Sequence, residues 1–321
     1  MTRQNTPPAR FTLLTLPVAT LVAGLTGSEY ILTQIGLVAT YAIAGLGLYV
    51  ITGLTGQLTL GHGAFIALGA YTATLLQIQG TPFILSALAA IIVSALGGFL
   101  ASLPAQRLTG LQFGMSTLAF ALITEEILTR WVSLTHGAAG LSVPLPGISI
   151  TGIHPLLLQT LIALLALFVS FLLCQRYTHG SYGRAWRALR TDETAAQSCA
   201  INPIHARLHA FTLGSGLAGL AGALYAHQIG FISPEQFGLR LSFELLILIY
   251  VGGTHHPIGA IWGALIFIAI PQGFAILRDT FPIPFLHSAS IEPLFLGILI
   301  VTIVSLRCKL AKRPPNVHSN P

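Results

Sequence analysis

Long apolar runs broken by short polar stretches dominate this chain. Ten runs stand out, at 11–27, 30–52, 62–79, 82–104, 109–131, 155–175, 209–228, 241–254, 258–277 and 291–306. Most approach the roughly 20 residues that a helix needs to cross a hydrocarbon core. The run 241–254 is short, and reads either as a helix of its own or as one broken helix with 258–277. Two stretches interrupt the pattern for longer. Residues 132–154 are uncharged and carry turn signals at Gly137, Gly140, Pro144, Pro146 and Gly147. Residues 176–208 form the one long polar island. The ten-residue alternating segments of a membrane barrel are not visible. The pattern predicts an all-α, polytopic helical membrane protein with about ten transmembrane helices, a single domain over 1–321, and an outer loop at 132–154.

Composition sharpens this. Charged residues make up 7% of the chain, against about 25% in a soluble domain. The net charge of +6 would suit nucleic acid if it formed a patch, but it is spread by topology. With the N-terminus inside, Arg3, Arg10, Arg107, the island's Arg176, Arg184, Arg187, Arg190 and Arg207, and the tail's Arg307, Lys309, Lys312 and Arg313 fall on one side. Only Arg130, Arg240 and Arg278 fall on the other. This positive-inside bias places both termini in the cytoplasm and makes the bilayer, not nucleic acid, the partner. The first run follows Arg3 and Arg10 as in a signal peptide, but lacks an Ala-x-Ala site and is read as retained. Cys174, Cys199 and Cys308 lie on the predicted reducing side, so no disulfide is expected.

Gly53 to Phe65, GLTGQLTLGHGAF, joins the second and third runs. Its four glycines weaken a helix, while Thr55, Gln57, Thr59 and His62 supply donors and acceptors. Irregular backbone at membrane depth persists only when buried in protein or beside a wet cavity. One reading is an unwound piece on a substrate path, with Gln57, Thr59, His62 and Tyr71 as candidate lining residues. The other is an ordinary cytoplasmic turn. Gly214, Gly216, Gly219 and Gly222 include a literal G-x-G-x-x-G, but a dinucleotide site needs a preceding strand. Within an apolar helix these glycines read as helix packing. Glu125, Glu126, Glu244 and Glu292 sit near predicted outer ends, where local pairing is affordable, as for Glu126 with Arg130. Neither His255-His256 nor His205 with His209 has Cys or carboxylate neighbours to complete a metal site. Both lysines are in the tail, outside any phosphate-loop frame, so ATP-driven work would need a separate ATPase.

The island reads as two short helices. Trp186 and Leu189 share an apolar edge, with Arg184, Arg187 and Arg190 on another. Thr191 or Asp192 caps the second helix, with Glu193 near its positive end. Pro203 should end it. Such a knob fits a partner's groove, or else lies on anionic lipid.

These residues resemble the LivM-type permeases of branched-chain amino-acid ABC importers. The resemblance rests on Gly53–Leu76, on Arg187–Ala226, on Ile232-Ser233-Pro234-Glu235 and on Gly252-Gly253. It implies a permease subunit, not an enzyme, in the bacterial inner membrane, moving branched-chain or other apolar amino acids. Its implied partners are a LivH-like second permease, two ATPase subunits that use ATP and Mg, and an extracytoplasmic solute-binding protein. It makes 176–208 a coupling loop for the ATPase, with Arg184, Arg187, Arg190, Asp192, Glu193, Ala195, Ala196, Ala200, Ile201 and Asn202 as contact residues. Glu193, Ala195 and Ala196 match the family's E-A-A start. Ala200 stands where a glycine is usual, and alanine suits a helix. Gly253–Gly259, GTHHPIG, also departs from the family's serine and tryptophan-glycine-proline run. A urea or short-chain amide permease is the near alternative. A stand-alone ion-coupled carrier would want a midplane charge that the runs do not offer. A membrane sensor or assembly protein is the third class.

Overall fold

The computed structural model describes residues 29–105, Leu108, 110–144, 154–280 and Gly297. The predicted runs 11–27 and 291–306 lie outside these, Gly297 excepted, as do Glu292 and Cys308. The chain divides into two compact units, the first ending at Leu265. The elements are α1 (Glu29–Leu48), running into a π-helical turn (Tyr49–Leu54), then α2 (His62–Ile78), α3 (Phe83–Ala105) and α4 (Leu111–Arg130). After a short α5 (Val132–Thr135), a 3-10 turn and β1 (Leu141–Ser142) come α6 (Pro155–His179), α7 (Ser181–Thr191), α8 (Glu193–Ser198) and α9 (Pro203–Ile229). Then follow β2 (Phe231–Ile232), a 3-10 turn (Pro234–Phe237), α10 (Leu239–Gly252) and α11 (Ile258–Thr280). Within the second unit, the described chain is helical to Thr280 and contains Pro271, which has no backbone donor.

Four described helices are long and apolar enough to span a membrane: α1 with its π turn, α3, α4 and α6. They differ in burial. The most apolar window of α1 is 89% buried, against 33% in α3 and 28% in α6. α1 is thus interior, while α3 and α6 expose rows such as Ile84, Leu88, Ile92 and Leu96, or Leu161, Leu165 and Leu172. In water such rows would be untenable; against hydrocarbon they cost nothing.

At the centre lies α9, packed on α1, α2 and α3. Its glycines permit this. A methyl group on Gly222 would lie 2.1 Å from the Ile66 carbonyl oxygen, and one on Gly219 would lie 2.4 Å from Ser94 Oγ. One on Gly214 would fall 2.6 Å from Ile51. Gly216 differs, since its added methyl would meet Ile91 at an ordinary 3.5 Å. Ser94 Oγ donates to the Phe65 carbonyl at 2.8 Å, so α3 and α2 are tied by a hydrogen bond besides packing.

Several expectations are refined. The predicted run 209–228 is the inner part of a 27-residue helix that begins at Pro203. Asn202 caps it, accepting from the Ile204 and His205 N–H groups. Pro203 therefore starts a helix, at the position where its missing N–H matters least. The 241–277 region is two helices, separated at Gly253, whose φ of 112° only glycine adopts readily. Among the described residues, the one strand pairing is the two-residue antiparallel pair β1–β2, Leu141 with Ile232 and Ser142 with Phe231.

Candidate functional site: the coupling junction

The polar island folds back onto the bundle. Trp186 is fully buried, and its Nε1–H donates to the Ala206 carbonyl at 2.8 Å. Leu189 is buried beside it. The apolar edge of α7 thus packs on its own chain, facing neither lipid nor a partner's groove. The arginines remain exposed, but each also makes a bond within the chain. Arg184 Nη1 donates to the His179 carbonyl at 3.3 Å, and Arg187 Nη1 to the Thr178 carbonyl at 2.8 Å. Arg190 Nη1 donates to the Gly53 carbonyl, 137 residues away in sequence.

Asp192 caps α8, accepting from the Thr194 and Ala195 N–H groups at 2.9 and 3.1 Å. Glu193 turns back to Arg207 on α9, 2.7 Å away. The Arg207 side chain is only 13% exposed, so water screens this pair less than a surface ion pair. What remains exposed on α8 is small and uncharged: Thr194, Ala195, Gln197 and Ser198, with Ala196 buried beneath.

Ala200 is not helical. Its φ is 59°, in the left-handed region. The Ile201 N–H reaches the Ala196 carbonyl at 3.1 Å and the Ala200 N–H reaches that of Gln197 at 3.0 Å, which is the two-bond stop that glycine usually supplies. The expectation that alanine fits here as in a helix is therefore corrected: its Cβ is strained against the backbone. Ala200→Gly should stabilise the protein by about 1 kcal/mol, by relief of left-handed strain, read as a raised thermal transition in detergent. An unchanged or lowered transition would count against this.

Above α7 and α8 lies the segment that Arg190 grips. The π turn Tyr49–Leu54 is wholly buried, and Thr55 Oγ1 donates to the Ile51 carbonyl at 2.5 Å. Such turns are locally unstable and recur at functional places. From Gly56 to Gly61 the backbone is unwound, and side chains satisfy part of it. Thr117 Oγ1 accepts from the Leu60 N–H at 3.0 Å, and Ser242 Oγ accepts from the Gly63 N–H at 2.9 Å. Gly56 has a φ of 75° and lies against the Arg190 stem, where a Cβ would fall 2.9 Å from Cγ.

A polar cavity of about 410 Å³ sits at this meeting point, bordered by Gln57, Thr55, Arg190, Glu193, Arg207 and Thr254. Of the sequence candidates for a path, Gln57 lines it. Thr59 and His62 are buried in packing, with His62 Nε2 facing the Ala44 carbonyl at 3.1 Å. Tyr71 is buried on the Phe237 ring, 6.2 Å between centroids. The His255-His256 turn follows Thr254. His256 Nδ1 accepts from the Ile258 N–H at 3.2 Å, so it is neutral, and burial, then His179, holds its pKa below the usual histidine value. His209 stacks on Tyr182. The described residues hold no group of three or more His, Cys, Asp or Glu suited to a metal ion. Glu126 pairs with Arg130 and Glu244 with Arg240. Sequence reasoning missed the Arg190–Gly53 link and a buried His227–Gln77 contact joining α9 to α2.

A glycine-packed helical bundle with several apolar, outward-facing spans and a folded polar elbow is the build of a multi-pass membrane protein. The model of the branched-chain amino acid transport system / permease component family matches residues 30–304, and the chain belongs to that family. It is 34% identical over 264 residues to the high-affinity branched-chain amino acid transport system permease protein LivM of Salmonella typhimurium and, likewise, to that of Escherichia coli. Each alignment covers 74% of this chain and 61% of the relative, so the chain spans about three fifths of their length. It is also 31% identical over 191 residues to the autoinducer 2 import system permease protein LsrC of Salmonella typhi, covering 57% of this chain and 50% of the relative. No solved structure matches.

Proposed function

We propose that this chain is the permease subunit of an ABC importer for branched-chain or other apolar amino acids, in the bacterial inner membrane. It has about ten spans and both termini in the cytoplasm, and works with a second permease, two ATPase subunits and a solute-binding protein. It binds no cofactor itself; ATP and Mg are used by the ATPase subunits. The family match and the two LivM relatives support the transport class and the solute class.

One observation carries the mechanism: Arg190 on α7 holds the Gly53 carbonyl at the end of the π turn. The exposed small face of α8 is the surface on which the ATPase rests. When nucleotide closes the ATPase pair, α7 and α8 move as one piece, because Trp186 and the Glu193–Arg207 pair lock them to the base of α9. Arg190 passes that movement to the unwound segment 56–61. An irregular, locally satisfied backbone rearranges at lower cost than a helix, so the cavity beside Gln57 opens or closes there.

Glu193→Lys reverses the sign facing Arg207 and should detach the elbow while leaving membrane insertion intact. Co-purification of the ATPase subunits with this variant should fall to background. Recovery at the wild-type yield would overturn the docking assignment.

A further inference from the structure

A second polar cavity, of about 370 Å³, lies at the other end of α10. The α10 helix has 14 residues, about 21 Å at 1.5 Å per residue. Tyr250 near its end borders the coupling cavity, whereas Arg240 and Glu244 near its start border this one. Tyr41, Tyr225, Glu235 and Gln236 line it as well.

The charges are arranged in depth. Arg240 Nε donates to Glu244 Oε1 at 2.8 Å. The Arg240 side chain is 91% exposed and that of Glu244 only 25% exposed. The cation is therefore at the rim and the carboxylate toward the floor. Among the described residues only the Nε of Arg240 is engaged, which leaves its Nη1 and Nη2 edge available for a bidentate carboxylate. A third group points the same way. Gln236 Oε1 is buried and has no hydrogen-bond partner among the described residues. A buried unpaired acceptor is costly, and a donor on a molecule held in this cavity would satisfy it.

Beneath the rim the character changes. Tyr41 and Tyr225 meet edge to face with centroids 6.3 Å apart. Together with Leu241 they also line a narrow apolar crevice that continues to Ala44, Ile66 and Leu245. A cation at the rim, a carboxylate and a bare amide oxygen beside it, and the apolar wall of the tyrosine pair match one kind of small molecule. We propose that this cavity receives a free α-amino acid with an apolar side chain. Its carboxylate lies on Arg240, its ammonium on Glu244 and Gln236 Oε1, and its side chain against the Tyr41–Tyr225 pair at the mouth of the crevice. The proposal rests on the importer reading and adds to it a solute contact made by the permease itself.

The test uses the full chain in lipid nanodiscs and tritiated L-leucine, with bound label measured at equilibrium. Saturable binding is expected. R240Q and E244Q should each weaken it at least about tenfold, the scale of one lost charge-assisted hydrogen bond, while keeping the wild-type thermal transition. On the wild-type protein, 4-methylpentanoate and isopentylamine, each lacking one of the two charges, should compete at least about tenfold less well than leucine on the same grounds. The competition arm needs no variant to fold. Absence of saturable binding, wild-type binding by R240Q, or equal competition by either half-analogue would overturn the site. ATP-driven uptake that persists despite such a result would leave the importer reading standing. Uptake that needs no ATPase would remove that reading instead.

Discussion

Arg190→Ala should leave the ATPase subunits bound and hydrolysing ATP, yet cut ATP-driven solute uptake by at least about tenfold. The side chain makes one contact that no neighbour can replace, its donation to the Gly53 carbonyl. A hydrogen bond to a charged donor contributes about 1.5–3 kcal/mol, and each 1.4 kcal/mol is about tenfold in an equilibrium. On the proposed reading the ATPase rests on α8 and not on Arg190, so association should survive while transmission fails. Arg190→Lys should rescue only in part, because it keeps the methylene stem beside Gly56 but replaces the planar guanidinium fork with a shorter-reaching ammonium. Parallel measurement of hydrolysis and uptake in proteoliposomes decides it. Equal losses in both, or no loss in uptake, would count against transmission through this contact.

Gly222→Ala should lower the stability of the bundle sharply. Its methyl would enter 2.1 Å from the Ile66 carbonyl and 2.8 Å from the Ala70 nitrogen, both backbone atoms of α2. Backbone cannot rotate away, so α9 and α2 must separate. Overpacking of this kind costs about 1–3 kcal/mol, and here at the upper end, because α9 touches three helices. Gly216→Ala is the matched control: its methyl meets Ile91 at 3.5 Å, and alanine is a better helix former by about 1 kcal/mol. The thermal transition in detergent should fall clearly for the first and stay level or rise for the second. Equal behaviour would show that α9 does not pack through this face.

Much of this fold was legible because run length reports hydrocarbon-spanning helices almost directly. The runs 30–52, 62–79, 82–104, 109–131 and 155–175 each correspond to one described helix. The glycine pattern was legible as packing, since a strand-less G-x-G-x-x-G has no crevice in which to hold a phosphate. Legibility failed where local sequence has two physical uses. Pro203 was read as a stop, but α8 ends earlier, at Ser198, and Pro203 begins the next helix with Asn202 before it as a cap. Ala200 was read by its helix propensity, while the stop after α8 imposes a left-handed residue regardless of its type. The arginine row of α7 was read as a docking face. Each of the three guanidiniums also donates one bond to a carbonyl of its own chain, a use that periodicity does not reveal. The rim pair Arg240–Glu244 has the same four-residue spacing as Glu126–Arg130 but was not read from the sequence, and neither was the buried Gln236 oxygen beside it.

The central claim is that this permease has no motor of its own and is driven through its α7–α8 elbow. Sealed vesicles containing the purified chain, with and without its partner permease, the two ATPase subunits and the solute-binding protein, test this directly when loaded with ATP and supplied with labelled leucine. Accumulation above the outside concentration is expected only with all partners and ATP present, and is lost in the Arg190→Ala assembly. Accumulation by the chain alone, driven by an ion gradient without nucleotide, would contradict the account.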